Sequence, residues 1–347
     1  MLTSFSCAEQ ATQLSYFTNS SDASASVALN DRLFLIADDE KNILRIYDIK
    51  KQGTPVAEYD ANPFLKTFGD SPEADIEAAT THGKRIYLIT SHGRNKDGKI
   101  RPNRQRFFAL DFEIKDDTVT LTPVGNPCTD LLQKIIQQPW AKDMGLVKAA
   151  GSAKKDQNLA PKEQGINIEG LAASPDGKTL YIAFRNPRPI DPNTSLPMAL
   201  IIPLKNPDSL LEDSMAPEFD IPILVNLNGL SVRSLEYVNF RNEFLIIAGP
   251  QDSSNIFALY SWTAKPAENP ALINIQNTLE ENFNPEALAI FESSRRMLLL
   301  SDDGTLPVQI ENPNQCIEGE MNKDGSCPNK FLTDPQMKKF RAVWLEL

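Results

Sequence analysis

The hydrophobic and polar positions of the 347-residue chain repeat one order of short segments. The first copy is an apolar strand ending at Leu29, a turn at 30–31, a second apolar strand at 33–37, a polar loop and a third strand at 43–48. Side chains alternate between the two faces of a strand, so runs of this length, rich in β-branched and aromatic residues and broken by turn residues, predict hairpins. The pattern therefore predicts repeated antiparallel sheet.

The clearest hairpin spans residues 167–185. Its first strand is small and apolar at nearly every position after Glu169, and a Ser-Pro-Asp-Gly turn leads to a second strand that ends at Arg185. A strand that is apolar on both faces is buried on both faces. This is typical of the innermost strand of a propeller blade.

Five copies of the unit begin at residues 22, 75, 167, 231 and 284. Units that cannot bury their own faces alone must stack on one another, and a closed ring is the result. We predict an all-β fold, a single β-propeller domain over 1–347 with five four-stranded antiparallel blades. Six blades are the alternative, because a degenerate blade could lie in the insertion or at the N-terminus. We expect the C-terminal strand at 342–345 to complete a blade that N-terminal residues begin, or to pack beside it, since closure removes an exposed edge.

The longest spacing contains an insertion at roughly 113–164. Thr129 and Asp130 can cap a helix at 129–138, and four apolar residues fall on one of its faces: Leu131, Leu132, Ile135 and Ile136. We expect this helix to pack across one face of the disc, so that deleting 129–160 would change access to that face more than it unfolds the ring.

Charge and hydropathy limit the partners. The formal net charge is −11, from 35 basic and 46 acidic residues, and an acidic surface repels nucleic acid and anionic lipid. We find no run of about 18 apolar residues that could span a bilayer, so the sequence predicts a soluble protein. The segment 94–106 is locally basic, which leaves room for an anion site there.

The cysteines bear on the compartment. None of the four forms a Cys-x-x-Cys pair, but Cys316 and Cys327 bracket a short polar loop, and a disulfide between them would indicate an oxidising compartment. The first residues match no signal peptide. Either the protein is cytoplasmic or a leader has been removed, and the cysteine pair favours a mature periplasmic or secreted form.

Two rings of polar residues should converge at the top of the channel. The inner ring comes from the starts of the first strands. Its residues lie two positions after the start of each unit: Ser24, Glu77, Glu169, Arg233 and Glu286. Three glutamates in one channel repel, so Arg233, a bound cation or raised pKa values must compensate. We predict that Arg233 lies within ion-pair reach of at least one of these glutamates. In that role it could also be a purely structural plug between the blades.

The ends of the second strands supply the outer ring. Its candidates are Asp38, Asp39, His92, Arg94, Arg185, Asn186, Asp252 and Asp302. Such residues also occupy ordinary turns, so both interpretations stay open. The chain has two histidines, no Gly-x-Ser-x-Gly and no His-Glu-x-x-His, which leaves little material for a serine triad or a histidine-rich metal site.

Several segments resemble a bacterial propeller family known mainly as a domain of unassigned function. They are Asp-Ala-Ser-Ala at 22–25, Ala-Asp-Asp-Glu at 37–40, 167–172, 181–187 and the closing Trp-Leu-Glu-Leu at 344–347. The Glu-Gly-Leu-Ala element at 169–172 is also similar to inner strands of phytase-like esterase propellers. More distantly it resembles calcium-dependent lactonase and organophosphatase propellers, which hold their metal with acids and amides on the channel axis.

Two functions follow as hypotheses. In the first, the protein is a metal-dependent hydrolase in which Ca²⁺ polarises an ester, lactone or phosphate oxygen, bound by a subset of Glu77, Asn167, Glu169, Asn284 and Glu286. There Arg94, Arg185 or Arg233 would stabilise negative charge, and His92 or Asp302 would be the base.

The second hypothesis is a non-catalytic, monomeric propeller whose top face binds a small anionic ligand or a protein partner through planar arginine donors. Its further ligand-binding candidates are Asp38, Asp39, Arg94, Asn186 and Asp252. The sequence favours this binding function and leaves an enzymatic activity open.

Overall fold

Five four-stranded antiparallel sheets form the blades of a β-propeller in the computed structural model, which describes residues 14–38, 40–251, 256–265, 268–273, 275 and 279–346. The N-terminal strand is β1 (Leu14–Thr18). Blade 1 consists of β2 (Ala25–Ala28), β3 (Leu33–Ala37), β4 (Ile43–Asp48) and β5 (Ala57–Asp60). Blade 2 consists of β6 (Ile76–His82), β7 (Arg85–Thr90), β8 (Phe107–Lys115) and β9 (Thr118–Cys128).

The remaining blades repeat this order. Blade 3 consists of β10 (Asn167–Ala173), β11 (Leu180–Asn186), β12 (Ala199–Leu204) and β13 (Ile223–Val225). Blade 4 consists of β14 (Ser231–Val238), β15 (Glu243–Gly249), β16 (Ala258–Trp262) and β17 (Ala271–Ile273). Blade 5 begins with β18 (Pro285–Phe291) and β19 (Arg296–Ser301), and a separate small sheet pairs β20 (Pro307–Val308) with β21 (Cys327–Pro328).

The ring closes in blade 5, where the C-terminal strand β22 (Lys339–Glu346) lies between β19 and the N-terminal β1. The inner strands β2, β6, β10, β14 and β18 contact one another in that order, and β18 returns to β2. The predicted architecture of five blades and the predicted place of the C-terminal strand are confirmed.

Aromatic side chains join the closing blade to blade 1. Phe340 of β22 stacks on Phe17 at 5.5 Å between ring centroids and meets Tyr47 of blade 1 edge to face. The Tyr47 hydroxyl donates to the Thr18 carbonyl at 2.7 Å. Together these contacts pack β1 and β22, which lie near the two ends of the chain, against blade 1.

Phe340→Ala should lower the free energy of unfolding by about 3–5 kcal/mol, since Phe340 is fully buried and its removal leaves a cavity at the closure. Urea unfolding measures the change. The control is Phe68→Ala, because Phe68 is 63% exposed and its loss should shift stability by about 0.5 kcal/mol or less. Equal effects of the two changes would contradict this account of ring closure.

The insertion contributes to the core as well as covering it. Residues 113–128, predicted as its beginning, belong instead to β8 and β9. The predicted helix is present as α2 (Leu131–Ile136), and α3 (Leu146–Ala150) follows it. Leu131, Leu132 and Ile135 are buried in one hydrophobic cluster with side chains of blades 2 and 3. Two other short helices, α1 (Asn62–Leu65) and α4 (Pro207–Glu212), lie outside the insertion.

Cys316 and Cys327 form a disulfide bond, as predicted. Cys128 is a buried thiol whose pKa is raised to about 11, chiefly by burial. Among the described residues, no helix is long and apolar enough to cross a membrane.

Candidate functional site

The inner strands of four blades each carry an irregularity at the same place. The pairing register shifts by one residue between 76 and 78, 168 and 170, 232 and 234, and 285 and 287. The extra residues are the predicted ring members Glu77, Glu169, Arg233 and Glu286. Bulges re-aim a side chain and occur next to active sites, so the bulges, not simple alternation along the strand, set the direction of these four side chains.

Blade 3 carries a second shift on the neighbouring strand. Between Asn167 and Ile168 the register skips Arg185 on β11. The two extra residues of this blade face each other, because Arg185 Nη1 donates to Glu169 Oε1 at 2.8 Å. Asn167 Nδ2 donates to the same oxygen at 2.7 Å.

Arg233 of blade 4 completes the cluster. Its Nε lies 3.3 Å from Glu169 Oε2, and its Nη2 pairs with Glu286 of blade 5. The predicted ion pairing of Arg233 is thus confirmed. Burial lowers the pKa of Arg233, and the Glu169 carboxylate opposes that shift. One carboxylate, Glu169, is therefore shared by guanidinium groups from two blades.

This cluster lies in the wall of a cavity of about 1070 Å³ at the top of the channel. The cavity is lined by eight of the predicted site residues: Glu77, Asn167, Glu169, Arg185, Arg233, Asn284, Glu286 and Asp302. Asp302 accepts from the Gly304 amide at 2.8 Å and from Asn284 Nδ2 at 3.3 Å. The structure therefore brings Glu77, Glu169, Arg233 and Glu286 of the inner ring and two members of the outer ring together around one space, whereas Ser24 of blade 1 does not line it.

A second charged group on the cavity wall was missed by sequence reasoning. Arg104 Nη1 donates to Asp75 Oδ2 at 2.8 Å, and Arg104 Nη2 pairs with Glu73. Burial raises the pKa of Glu73 to about 7 against the opposing effect of Arg104, and burial also raises the pKa of Asp75. The available signal was the basic segment 94–106, of which Lys96, Arg101 and Arg104 line the cavity.

The insertion contributes Lys162 to the same cavity. Burial lowers the pKa of the Lys162 ammonium, and the charges of Arg185 and Arg233 lower it further, whereas Asp302 and Glu169 oppose the shift. Lys162 thus adds a third positive charge near the two arginines.

Four predicted site residues lie elsewhere and serve local structure. Asp38 pairs with Arg45 at 2.6 Å. Arg94 donates to backbone carbonyls of Gly98, Ala150 and Ala153, and Asn186 Nδ2 donates to the Gly165 carbonyl at 2.6 Å. His92 is buried with Nδ1 2.8 Å from the Thr90 carbonyl, and burial lowers its pKa to about 4. None of the four lines the cavity.

Asp39 and Asp252, the other two ligand-binding candidates, lie outside the described residues. Their place relative to the cavity stays a prediction.

Two of the predicted calcium ligands already face a positive group. Glu169 and Glu286 are in ion pairs with Arg233, so a Ca²⁺ ion on the same oxygens would have to displace that guanidinium. Within the described residues, no group of three or more Asp, Glu, His or Cys side chains is arranged to hold a metal ion. Calcium binding stays a prediction, and we derive no chemical step through it.

Three solved structures are similar to this chain. Glutaminyl cyclase from Myxococcus xanthus is 12% identical with a TM-score of 0.41, and the match covers 83% of this chain and 88% of that one. A putative oxidoreductase (glucose dehydrogenase) from Thermus thermophilus is 10% identical with a TM-score of 0.45, over 96% and 100%. A protein of unknown function from Bacteroides thetaiotaomicron is 9% identical with a TM-score of 0.39, over 96% and 76%. Such values carry no argument about function.

The sequence matches no curated protein. Residues 138–303 match the family described as "Protein of unknown function (DUF3616)". The matched stretch runs from the insertion through blades 3 and 4 into blade 5, and it includes Arg185 and Arg233. The resemblance to a β-propeller family of unassigned function, predicted from the sequence, is confirmed.

Proposed function

We propose that the cavity at the top of the channel binds a small anionic molecule whose negative group lies against Arg185 and Arg233. The observation that carries the proposal is the sharing of one carboxylate, Glu169, by these two buried guanidinium groups. Guanidinium groups present planar sets of donors that suit carboxylate and phosphate oxygens. Lys162 adds positive charge to the same side of the cavity.

The size and lining of the cavity support a small polar ligand. Ligand cavities commonly measure about 300–1000 Å³, and this one is at the upper end at about 1070 Å³. Its large apolar side chains are few, chiefly Phe257 and Phe331. Glu40, Glu73, Glu163 and Glu320 also line it. These acids repel a polyanion, so a compact anion fits better than nucleic acid does.

Calorimetric titration with inorganic phosphate and with citrate tests the proposal, and glycerol serves as the neutral probe. Lys162→Gln and Arg233→Gln should each weaken the binding of the better anion about tenfold or more, because a hydrogen bond to a charged group contributes about 1.5–3 kcal/mol. Lys162 lies on the insertion and is only partly buried, so its variant should fold even if the arginine variant does not.

The matched control is Arg241→Gln, since Arg241 pairs with Glu243 away from the cavity. It should bind like the parent. Absence of anion binding at millimolar concentration, or equal binding by all the variants, would overturn the proposal.

The alternative function is a calcium-dependent hydrolase. No contact among the described residues favours it over anion binding. For the compartment, we infer an oxidising location such as the periplasm or the cell exterior, because structural disulfides such as Cys316–Cys327 persist there.

A further inference from the structure

A second cavity lies at the opposite end of the channel from the anion site. It measures about 130 Å³ and is formed where the inner strands end, with contributions from all five blades. Its polar lining includes Thr80, Thr81, His82, Ser174, Glu236, Asn239 and Glu292. The arginine cluster does not extend to this end of the channel.

Glu236 on β14 is the unusual member of this lining. Glu236 is buried, with 8% of its surface exposed. Among the described residues, the Glu236 carboxyl group has no hydrogen-bond or ion-pair partner. A buried carboxylate without a partner is costly. Burial accordingly raises the pKa of Glu236 well above its ordinary value, and among the described residues no charge opposes the shift.

The charges around Glu236 make the cavity acidic. Glu292 is the second carboxylate of the lining, and it accepts from Asn239 N at 2.9 Å and Asn239 Nδ2 at 3.1 Å. The described residues of the lining include His82 but neither lysine nor arginine. The top of the channel compensates its glutamates with arginines, whereas this end has no such compensation among its lining residues.

We propose that this second cavity binds a monovalent cation, with Glu236 as the charged ligand. The candidates share one chemistry, a compact positive charge that oxygen atoms stabilise by coordinating a metal ion or by accepting N–H hydrogen bonds: K⁺, Na⁺, ammonium or a protonated primary amine. A divalent ion would require more acids, and the described residues hold no metal-binding group of three.

The cavity has the space and the additional oxygens for such an ion. A water molecule needs about 10–15 Å³ of accessible volume. The accessible volume of about 130 Å³ therefore accommodates a small ion together with several waters. The Thr80 hydroxyl accepts from the Ala173 amide at 3.1 Å and retains a second lone pair. It can therefore contribute a neutral ligand from blade 2.

Thermal unfolding at pH 8 tests the proposal in chlorides of equal ionic strength. The probes are K⁺, Na⁺, NH₄⁺ and methylammonium, and tetramethylammonium is the reference because it is too large and offers no N–H. The Tm of the full chain should be higher by about 2 °C or more in at least one probe than in the reference. The order of the probes distinguishes a metal ion from an amine.

Glu236→Gln should abolish this difference and should raise the Tm in tetramethylammonium, because it removes the uncompensated charge. The control Glu113→Gln, at an exposed position of β8, should keep the cation response of the parent. Equal Tm values in all five chlorides, or a response that persists in Glu236→Gln, would overturn the proposal. If Glu236→Gln does not fold, an anomalous scattering peak of Rb⁺ in the cavity of the parent supports it, and a cavity without a peak refutes it.

Discussion

Arg233→Ala is expected to lower the free energy of unfolding by about 3–5 kcal/mol at pH 7, because it breaks a buried ion pair from one side. Arg233 is 7% exposed and pairs with both Glu169 and Glu286. Glu169 keeps Arg185 in the variant, whereas Glu286 loses the guanidinium it faces. Urea unfolding of parent and variant measures the difference.

The loss should depend on pH in a defined direction. An uncompensated carboxylate inside the folded protein takes up a proton more readily than it does in the unfolded chain, so the variant loses stability as the pH rises and regains it in acid. The gap between parent and variant should therefore narrow from pH 7 to pH 5, and added Ca²⁺ should narrow it as well. Arg241→Ala, at a partly exposed ion pair, should cost about 1 kcal/mol or less. If Arg233→Ala unfolds like the parent at every pH, the cluster is not a stabilising element.

Glu169→Gln is expected to produce a comparable loss, about 3–5 kcal/mol, for the opposite electrostatic reason. Glutamine keeps the size of the side chain but removes the charge that Arg185 and Arg233 share. Two buried guanidinium groups then face each other without their common carboxylate. Chemical denaturation at pH 7 gives the magnitude.

An added anion should restore part of that loss. Sulfate at about 50 mM should raise the Tm of Glu169→Gln more than that of the parent, since an anion in the cavity can supply the negative charge that Arg185 and Arg233 have lost. Sodium chloride of the same ionic strength corrects for screening. Glu58→Gln is the matched control, because Glu58 pairs with Arg45 but is 46% exposed. A sulfate response of the same size in all three proteins would contradict a specific arginine site.

The repeated strands were predictable because they depend on local pattern. The alternation of apolar residues and the turn residues between strands identified all five inner strands, and the alignment of their starts placed Glu77, Glu169, Arg233 and Glu286 around one channel. The reason for that placement was not predictable. An extra residue in a strand leaves no mark in the order of apolar and polar positions, so the bulges at these four residues emerged only in three dimensions.

The loop residues were less predictable, since their side chains follow contacts from distant parts of the chain. Arg94 was a site candidate because it follows a strand end, but its guanidinium satisfies the carbonyls of Ala150 and Ala153 in the insertion. Glu73 and Arg104 were missed for the same reason. Their pairing depends on how the connection between blades 1 and 2 lies against a loop of blade 2, and no local pattern encodes that arrangement.

The pairing of β1 with β22 sets an order for folding during synthesis. Each of blades 1 to 4 is built from a continuous stretch of chain, so each can form its hairpins as soon as that stretch has left the ribosome. Blade 5 cannot, because Leu14 pairs with Val343. β1 must wait with an unpaired edge until Val343 has been translated, and during this interval the nascent protein is exposed to pairing with another chain.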